Sequence, residues 1–324
     1  MTPITRRCLF GGIAAIAPLR GAAAQPAFPS RPIRSIDPNP PGGGSDFVSR
    51  ALGERVAALL GVQVIVENRA GGATTIGATF VARAAPDGHT LLTITTAGIV
   101  QGVIQEGLPY SLERDFVPII GVGSVPLALA VSTASNIRTR EQLVAAARTA
   151  NGISYASGGA GTMSHLACVR LLNEIGGTGV HVPFRGTAPA LQALAGGHVQ
   201  MMFPGVPDVR PVLASGHARL LAVTSEERIA DLPDVPTTKE LGFTDFNPRL
   251  WYGFVAPAGT PQPIVARLHD AYARALQEPD TRGRLTSRGF TLELQGPEET
   301  AALMRAETAR WGKVVRENNL RATD

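Results

Sequence analysis

Two glycine-rich stretches carry the residues of this chain best suited to chemistry, Pro41–Asp46 (PGGGSD) and Ser157–Thr162 (SGGAGT). Each falls between a strand-like run and a helix-like one. Glycines let a backbone come close to a ligand, and the free N–H groups and dipole of a helix start favour an anion. Ser45, Ser157 and Thr162 add hydroxyls that can donate to a carboxylate or hold a bridging water. The candidate anion-binding residues are Gly43, Gly44 and Ser45 in the first loop, and Ser157, Gly161 and Thr162 in the second. Either loop alone reads equally well as tight turns. Two such loops in separate lobes fit a cleft that draws one donor loop from each side.

Other residues are open to two readings. His165 lies one turn inside the helix after the second loop, facing the cleft or simply packed. Arg185, in Val182–Thr187 (VPFRGT), either complements an anion or is solvated. Asn68 and Arg69 either line the opposite wall or make a plain turn. Cys168, Trp251 and Trp311 read as packing residues. The chain holds no phosphate-loop, dinucleotide, Gly-x-Ser-x-Gly or His-Glu-x-x-His motif. Its six histidines have no metal-ligand spacing. No catalytic residue, metal or cofactor is therefore expected, and a binding protein is favoured over an enzyme.

The elements that must position these loops alternate. Strand-like runs at 33–36, 63–67, 90–95, 153–157, 180–182, 199–203 and 220–224 are separated by helix-like runs at 48–60, 77–85, 139–151, 163–175, 188–195 and 208–215. Thr139 and Gln142 have capping-box spacing. A return segment at 251–256 precedes helices at 261–277 and 298–318. This alternation favours parallel, doubly wound α/β sheets. At 324 residues the chain is long enough for two domains. We place residues 25–124 and 249–324 in one lobe and 125–248 in the other, with the terminal helices on the first lobe.

The N-terminal segment Met1–Ala24 reads as an export signal. Arg6 and Arg7 precede a short apolar run, and Ala22–Ala24 supply small residues before Gln25, where cleavage is expected. The run is too short to span a bilayer, which takes about 20 apolar residues. The arginine pair is twin-arginine-like, though such pairs also occur in ordinary secretory signals. Removing Arg6, Arg7 and Arg20 leaves 27 basic against 26 acidic residues, so the basic excess gives no support for nucleic-acid binding. One cysteine then remains, Cys168, and no internal disulfide can form. A periplasmic, monomeric protein is expected.

Strings spread along the chain resemble the substrate-binding receptors of tripartite tricarboxylate transporters, the Bug-type receptors. They include Pro29–Arg34 (PSRPIR), Pro40–Asp46 (PPGGGSD), Val66–Arg69 (VENR), Ala84–Gly88 (AAPDG), Tyr155–Ser157, Gly161–Thr162 with His165, His181–Phe184 (HVPF), Leu232–Thr237 (LPDVPT) and Ala256–Pro261 (APAGTP). The match keeps its order from Pro29 to about Val315. It implies a type II periplasmic-binding-protein fold, in which two α/β lobes joined by two crossing segments close on a ligand. It further implies a small carboxylate held by backbone amides and waters at the two loops, and a membrane permease as partner. A sensor protein would be the partner if the output were signalling; a secreted enzyme using Ser164 or His165 is the remaining alternative.

Three departures from that family touch the ligand wall. Asn39 stands where an aromatic residue is common. The segment Thr95–Gly98, with Thr95 and Thr96 at the strand end, lacks a frequent histidine. Pro204 follows Phe203 where many members have an aspartate. Since Pro204 offers no charge to a ligand amine, an acid without an amine is expected.

Overall fold

A computed structural model describes residues 28–243 and 246–321, so the export segment Met1–Ala24 lies outside the described residues. Chain order runs β1 (Ile33–Asp37), α1 (Gly44–Leu60), β2 (Val64–Asn68), α2 (Thr75–Ala82), β3 (Thr90–Thr95), α3 (Thr96–Ile104) and β4 (Phe116–Pro126). It continues through β5 (Ala128–Ser132), α4 (Arg140–Ala147), β6 (Ile153–Ser157), α5 (Met163–Glu174), β7 (Gly179–Pro183), α6 (Thr187–Ala195), β8 (Met201–Met202), α7 (Val206–Ala214) and β9 (Ala218–Val223). The chain then returns as β10 (Arg249–Pro257), α8 (Gln262–Gln277), α9 (Pro279–Thr286), β11 (Thr291–Gln295) and α10 (Pro297–Glu317).

Two sheets form, ordered β11-β4-β10-β3-β1-β2 and β7-β6-β8-β5-β9. Both are mixed. The strands fed by helices are parallel, β1 with β2 and β3, and β6 with β7 and β8. The exceptions follow from the connection between lobes. The chain leaves the first sheet at the end of β4, enters the second as β5, and comes back as β10. A strand going out and a strand coming back must oppose each other, and β10 is antiparallel to β4 and β3.

Alternating side chains give each strand of the first sheet two apolar faces. Ile33, Leu91 and Phe254 pack against α1 and α8 on one side, while Ile36, Leu92 and Val255 pack toward α2 and α3 on the other. Helix α8 buries Val265, Leu268, Tyr272, Ala275 and Leu276, the stripe expected of a period near 3.6.

The last helix, α10, packs on α3 and β4 of the first lobe. Helices α8 and α9 cover the first sheet, but α10 also reaches the second lobe. Its Trp311 and Val315 share a core with Leu166, Leu172 and Leu129. Asn173 Nδ2 donates to Asn318 Oδ1 across the same boundary at 2.9 Å. Strands β4, β5 and β11 and helices α3 and α9 have no counterpart in the sequence pattern. β4 is apolar along its length, without the two-residue alternation of a half-exposed strand, and is punctuated by Gly121, Gly123 and Pro126.

Candidate functional site

Helices that begin past the carboxyl end of a strand include α1 after β1, α3 after β3, α5 after β6, α6 after β7 and α7 after β8. That edge of an open α/β sheet is where ligands bind, and each helix start presents unpaired N–H groups there. Both lobes contribute, so the arrangement suits a small anion held between them.

In the first loop the helix begins earlier than the sequence suggests. Gly43 is the N-cap of α1, and Gly44, Ser45 and Asp46 form its first turn. Asn39 organises the approach, its backbone N–H and Nδ2 each donating to Asp37 Oδ1 at 3.0 Å. Its Nδ2 also donates to Ser45 Oγ at 3.1 Å. Asp46 is committed to structure, accepting from the Gly42 N–H and from Arg50. Gly44 is crowded: a Cβ there would lie 2.6 Å from Tyr252 Oη, so either the turn or the ring would have to shift. Tyr252 pairs with Thr95 across β10 and β3, which puts both side chains on one face of the sheet.

The second loop is tied to itself. Ser157 Oγ donates to Gly159 O at 2.9 Å and accepts the Gly159 N–H at 3.1 Å. The same oxygen shares a 2.7 Å hydrogen bond with His181 Nε2. Thr162 caps α5, accepting from the His165 N–H and donating to Gly159 O. Gly161 takes the left-handed conformation, with φ +71°, and donates its N–H to His165 Nδ1 at 3.1 Å. His165 is buried and stacks on His181 with ring centroids 3.8 Å apart, and Tyr155 lies against both, 5.2 Å from His181 and 6.2 Å from His165. Of the two readings of His165, the packed one matches this geometry. The hydroxyls of Ser157 and Thr162 are likewise spent on the loop, as are the N–H groups of Gly159, Gly161 and Thr162.

The remaining candidates separate. Thr95 Oγ1 is buried at the start of α3 without a hydrogen-bond partner among the described residues. Thr96 Oγ1 is consumed by the crossing strand, donating to Arg249 O and accepting the Trp251 N–H. Arg185 is exposed on a loop fastened to the second glycine stretch, where the Phe184 N–H donates to Ser157 O and the Gly186 N–H to Gly158 O. Pro204 is buried at the crossing point, and its carbonyl accepts the Ala128 N–H.

Three residues that the sequence reading passed over belong to this site. Asp37 ends β1 fully buried, with Oδ2 lacking a hydrogen-bond partner among the described residues. Burial pushes its carboxyl pKa up, against the bonds from Asn39 that lower it. Tyr252 stands over Gly44, and Asp208 opens α7. Strand-end position was the available signal for Asp37; nothing in local sequence marks the other two. Cavities of about 670 Å³ beside α3 and α10 and about 620 Å³ beside the start of α7 are lined by none of the candidate residues. Among the described residues no cluster of His, Cys, Asp and Glu could hold a metal ion.

The model of the tripartite tricarboxylate transporter family receptor matches residues 48–320. The chain belongs to this family. It is a solute-binding receptor, not an enzyme, and its architecture is the type II periplasmic-binding-protein fold. This receptor is 39% identical over 98% of its length, and 96% of the relative's, to a UPF0065 protein in the tcbD–tcbE intergenic region of Pseudomonas sp. strain P51. It is 32% identical to BugT of Bordetella pertussis, covering 95% of this chain and 96% of that one. Among solved structures, MatC from Rhodopseudomonas palustris with bound malate is 33% identical, with TM-score 0.78, covering 89% of this receptor and 100% of MatC. An R. palustris protein with adipate is 29% identical, with TM-score 0.81, covering 91% and 99%. Among the described residues no helix is long and apolar enough to cross a membrane.

Proposed function

We propose that this receptor works in the periplasm, capturing a small organic mono- or dicarboxylate between its lobes and delivering it to the membrane permease of a tripartite-type transporter. The observation that carries the reading is the convergence of helix starts from both sheets. Gly43 and Gly44 open α1 without side chains to cover its first N–H groups, and the Thr95 hydroxyl, without a partner among the described residues, stands at the start of α3. Malate and adipate in the two R. palustris proteins support a carboxylate. Position 204 contributes no charge, which favours an acid without an amine at that spot; Asp208, one turn along, is the anionic group on that wall. The lobes, 25–124 with 249–324 and 125–248, would close about the crossing segments. Met1–Ala24 would direct export.

A thermal-shift screen of the purified protein against small carboxylates tests this. A ligand at 100 times its dissociation constant stabilises the folded state by about 2.7 kcal/mol. If no organic acid raises the melting temperature and none co-purifies, the carboxylate reading fails.

A further inference from the structure

Asp208 is the third residue of α7, solvent-exposed, and its side chain has no hydrogen bond or ion pair among the described residues. Its Oδ2 stands 2.9 Å from where a Cβ on Gly205 would lie, and Leu250 Cδ1 flanks the same point at 3.7 Å. Leu250 and Tyr252 point to one face of β10, two residues apart, and Tyr252 Oη in turn abuts Gly44. The start of α7 in one lobe and the start of α1 in the other thus meet a single strip of the crossing strand. On the first-lobe side of that strip Asp37 Oδ2 is buried and unpartnered among the described residues. Burial raises the Tyr252 pKa, and the charges of Asp208 and Asp37 raise it further, so both carboxylates act on the same hydroxyl.

A ligand carboxylate brought here adds acceptors to acceptors. Like charges sharing a site repel unless a donor lies between them. We propose that Asp208, across the cleft from Asp37, makes this receptor select carboxylates bearing a hydrogen-bond donor, a hydroxyl or an ammonium, near the acid group. This rests on the carboxylate reading above. Asp208 supplies on α7 the anionic group that Pro204 does not. An acid in the first turn of a helix also complements the helix dipole, so the test must separate that role.

Calorimetry with matched acids does so, using propionate, lactate and alanine, then succinate, malate and aspartate, then glutarate, 2-hydroxyglutarate and glutamate. Within the chain length that binds, a donor-bearing acid is expected to bind at least about tenfold tighter than its unsubstituted partner, the scale of one hydrogen bond to a charged group. Asp208→Ala should collapse that ratio. Asp208→Asn separates the two donors, because it keeps an acceptor for a hydroxyl but loses the charge an ammonium needs. Equal binding of substituted and unsubstituted acids would overturn the inference and leave the carboxylate reading standing. Failure of every acid to bind would overturn both. A lower melting temperature in Asp208→Ala with the ratio intact would reduce Asp208 to a helix-dipole role and overturn the inference.

Discussion

Thr224 and Leu127 are joined at the point where the chain passes between lobes. Thr224 Oγ1 accepts the Leu127 N–H at 2.9 Å, and the Thr224 N–H donates to Leu127 O at 2.9 Å. The same hydroxyl donates to Pro248 O at 2.7 Å, just before the returning strand. One buried side chain therefore ties the outgoing segment to the incoming one. Any lobe motion must pivot around it or break it.

Thr224→Val keeps the shape and removes the hydroxyl, stranding a buried N–H and a buried carbonyl. Each unsatisfied group costs about 1–3 kcal/mol. The expected outcome in chemical denaturation is a loss of at least about 2 kcal/mol, with Thr224→Ser close to the parent. A Thr224→Val protein as stable as the parent would show that the crossing segments are held by other contacts.

Gly44→Ala sets a Cβ against Tyr252 Oη, with Cζ behind it at 3.3 Å. Overpacking of this kind costs about 1–3 kcal/mol. Tyr252→Phe removes the nearer atom and should recover part of the loss, so the double mutant should be more stable than the sum of the singles predicts. Melting temperatures of the four proteins give the coupling directly. Additive losses would mean that the first turn of α1 moves away from Tyr252 without cost.

The fold was legible where the chain alternates, and the site only where backbone chemistry is local. Glycine, serine and threonine beside a strand end point to a helix start that receives an anion, and Gly43–Ser45 and Ser157–Thr162 stand at such starts. The sequence does not show which hydroxyls remain free. Thr96 and Ser157 lie at the strand ends, yet Arg249 and Trp251 occupy the first and Gly159 and His181 the second. Those partners come from 24 or more residues away, except Gly159. Asp208 and Tyr252 were hidden for the same reason. Each lies within an ordinary helix or strand, and only tertiary packing sets Tyr252 against Gly44 and brings Asp208 near Tyr252.

His165→Phe tests the second loop. A phenyl ring can still stack on His181 but cannot accept the Gly161 N–H, which would be left buried without a partner. The expected loss is about 1–3 kcal/mol in stability. Because Gly161 lies beside the α5 start, affinity for a carboxylate that the parent binds should fall by about tenfold or more, equivalent to about 1.4 kcal/mol. Calorimetry and thermal melting read the two effects separately. Unchanged affinity with lowered stability would confine His165 to packing.

Asp37 carries a stability cost that depends on pH. Burial raises its pKa in the folded protein above the unfolded value, so the folded state holds the proton more tightly. The contribution of this group to stability is fully present below the unfolded carboxylate pKa and is lost as pH rises through the raised folded pKa. Asp37→Asn keeps an acceptor for Asn39 and never ionises. At neutral pH it should be more stable than the parent by about 0.5–2 kcal/mol, the usual gain from relieving a strained functional site. That advantage should shrink as pH falls toward the unfolded carboxylate range, about 4. Denaturation of both proteins across this interval measures the difference. An advantage independent of pH would mean that the Asp37 pKa is the same in the folded and unfolded states, so that the gain comes from packing alone. The same variant should lose the preference for donor-bearing acids, since the unpartnered Oδ2 is replaced by an amide that donates.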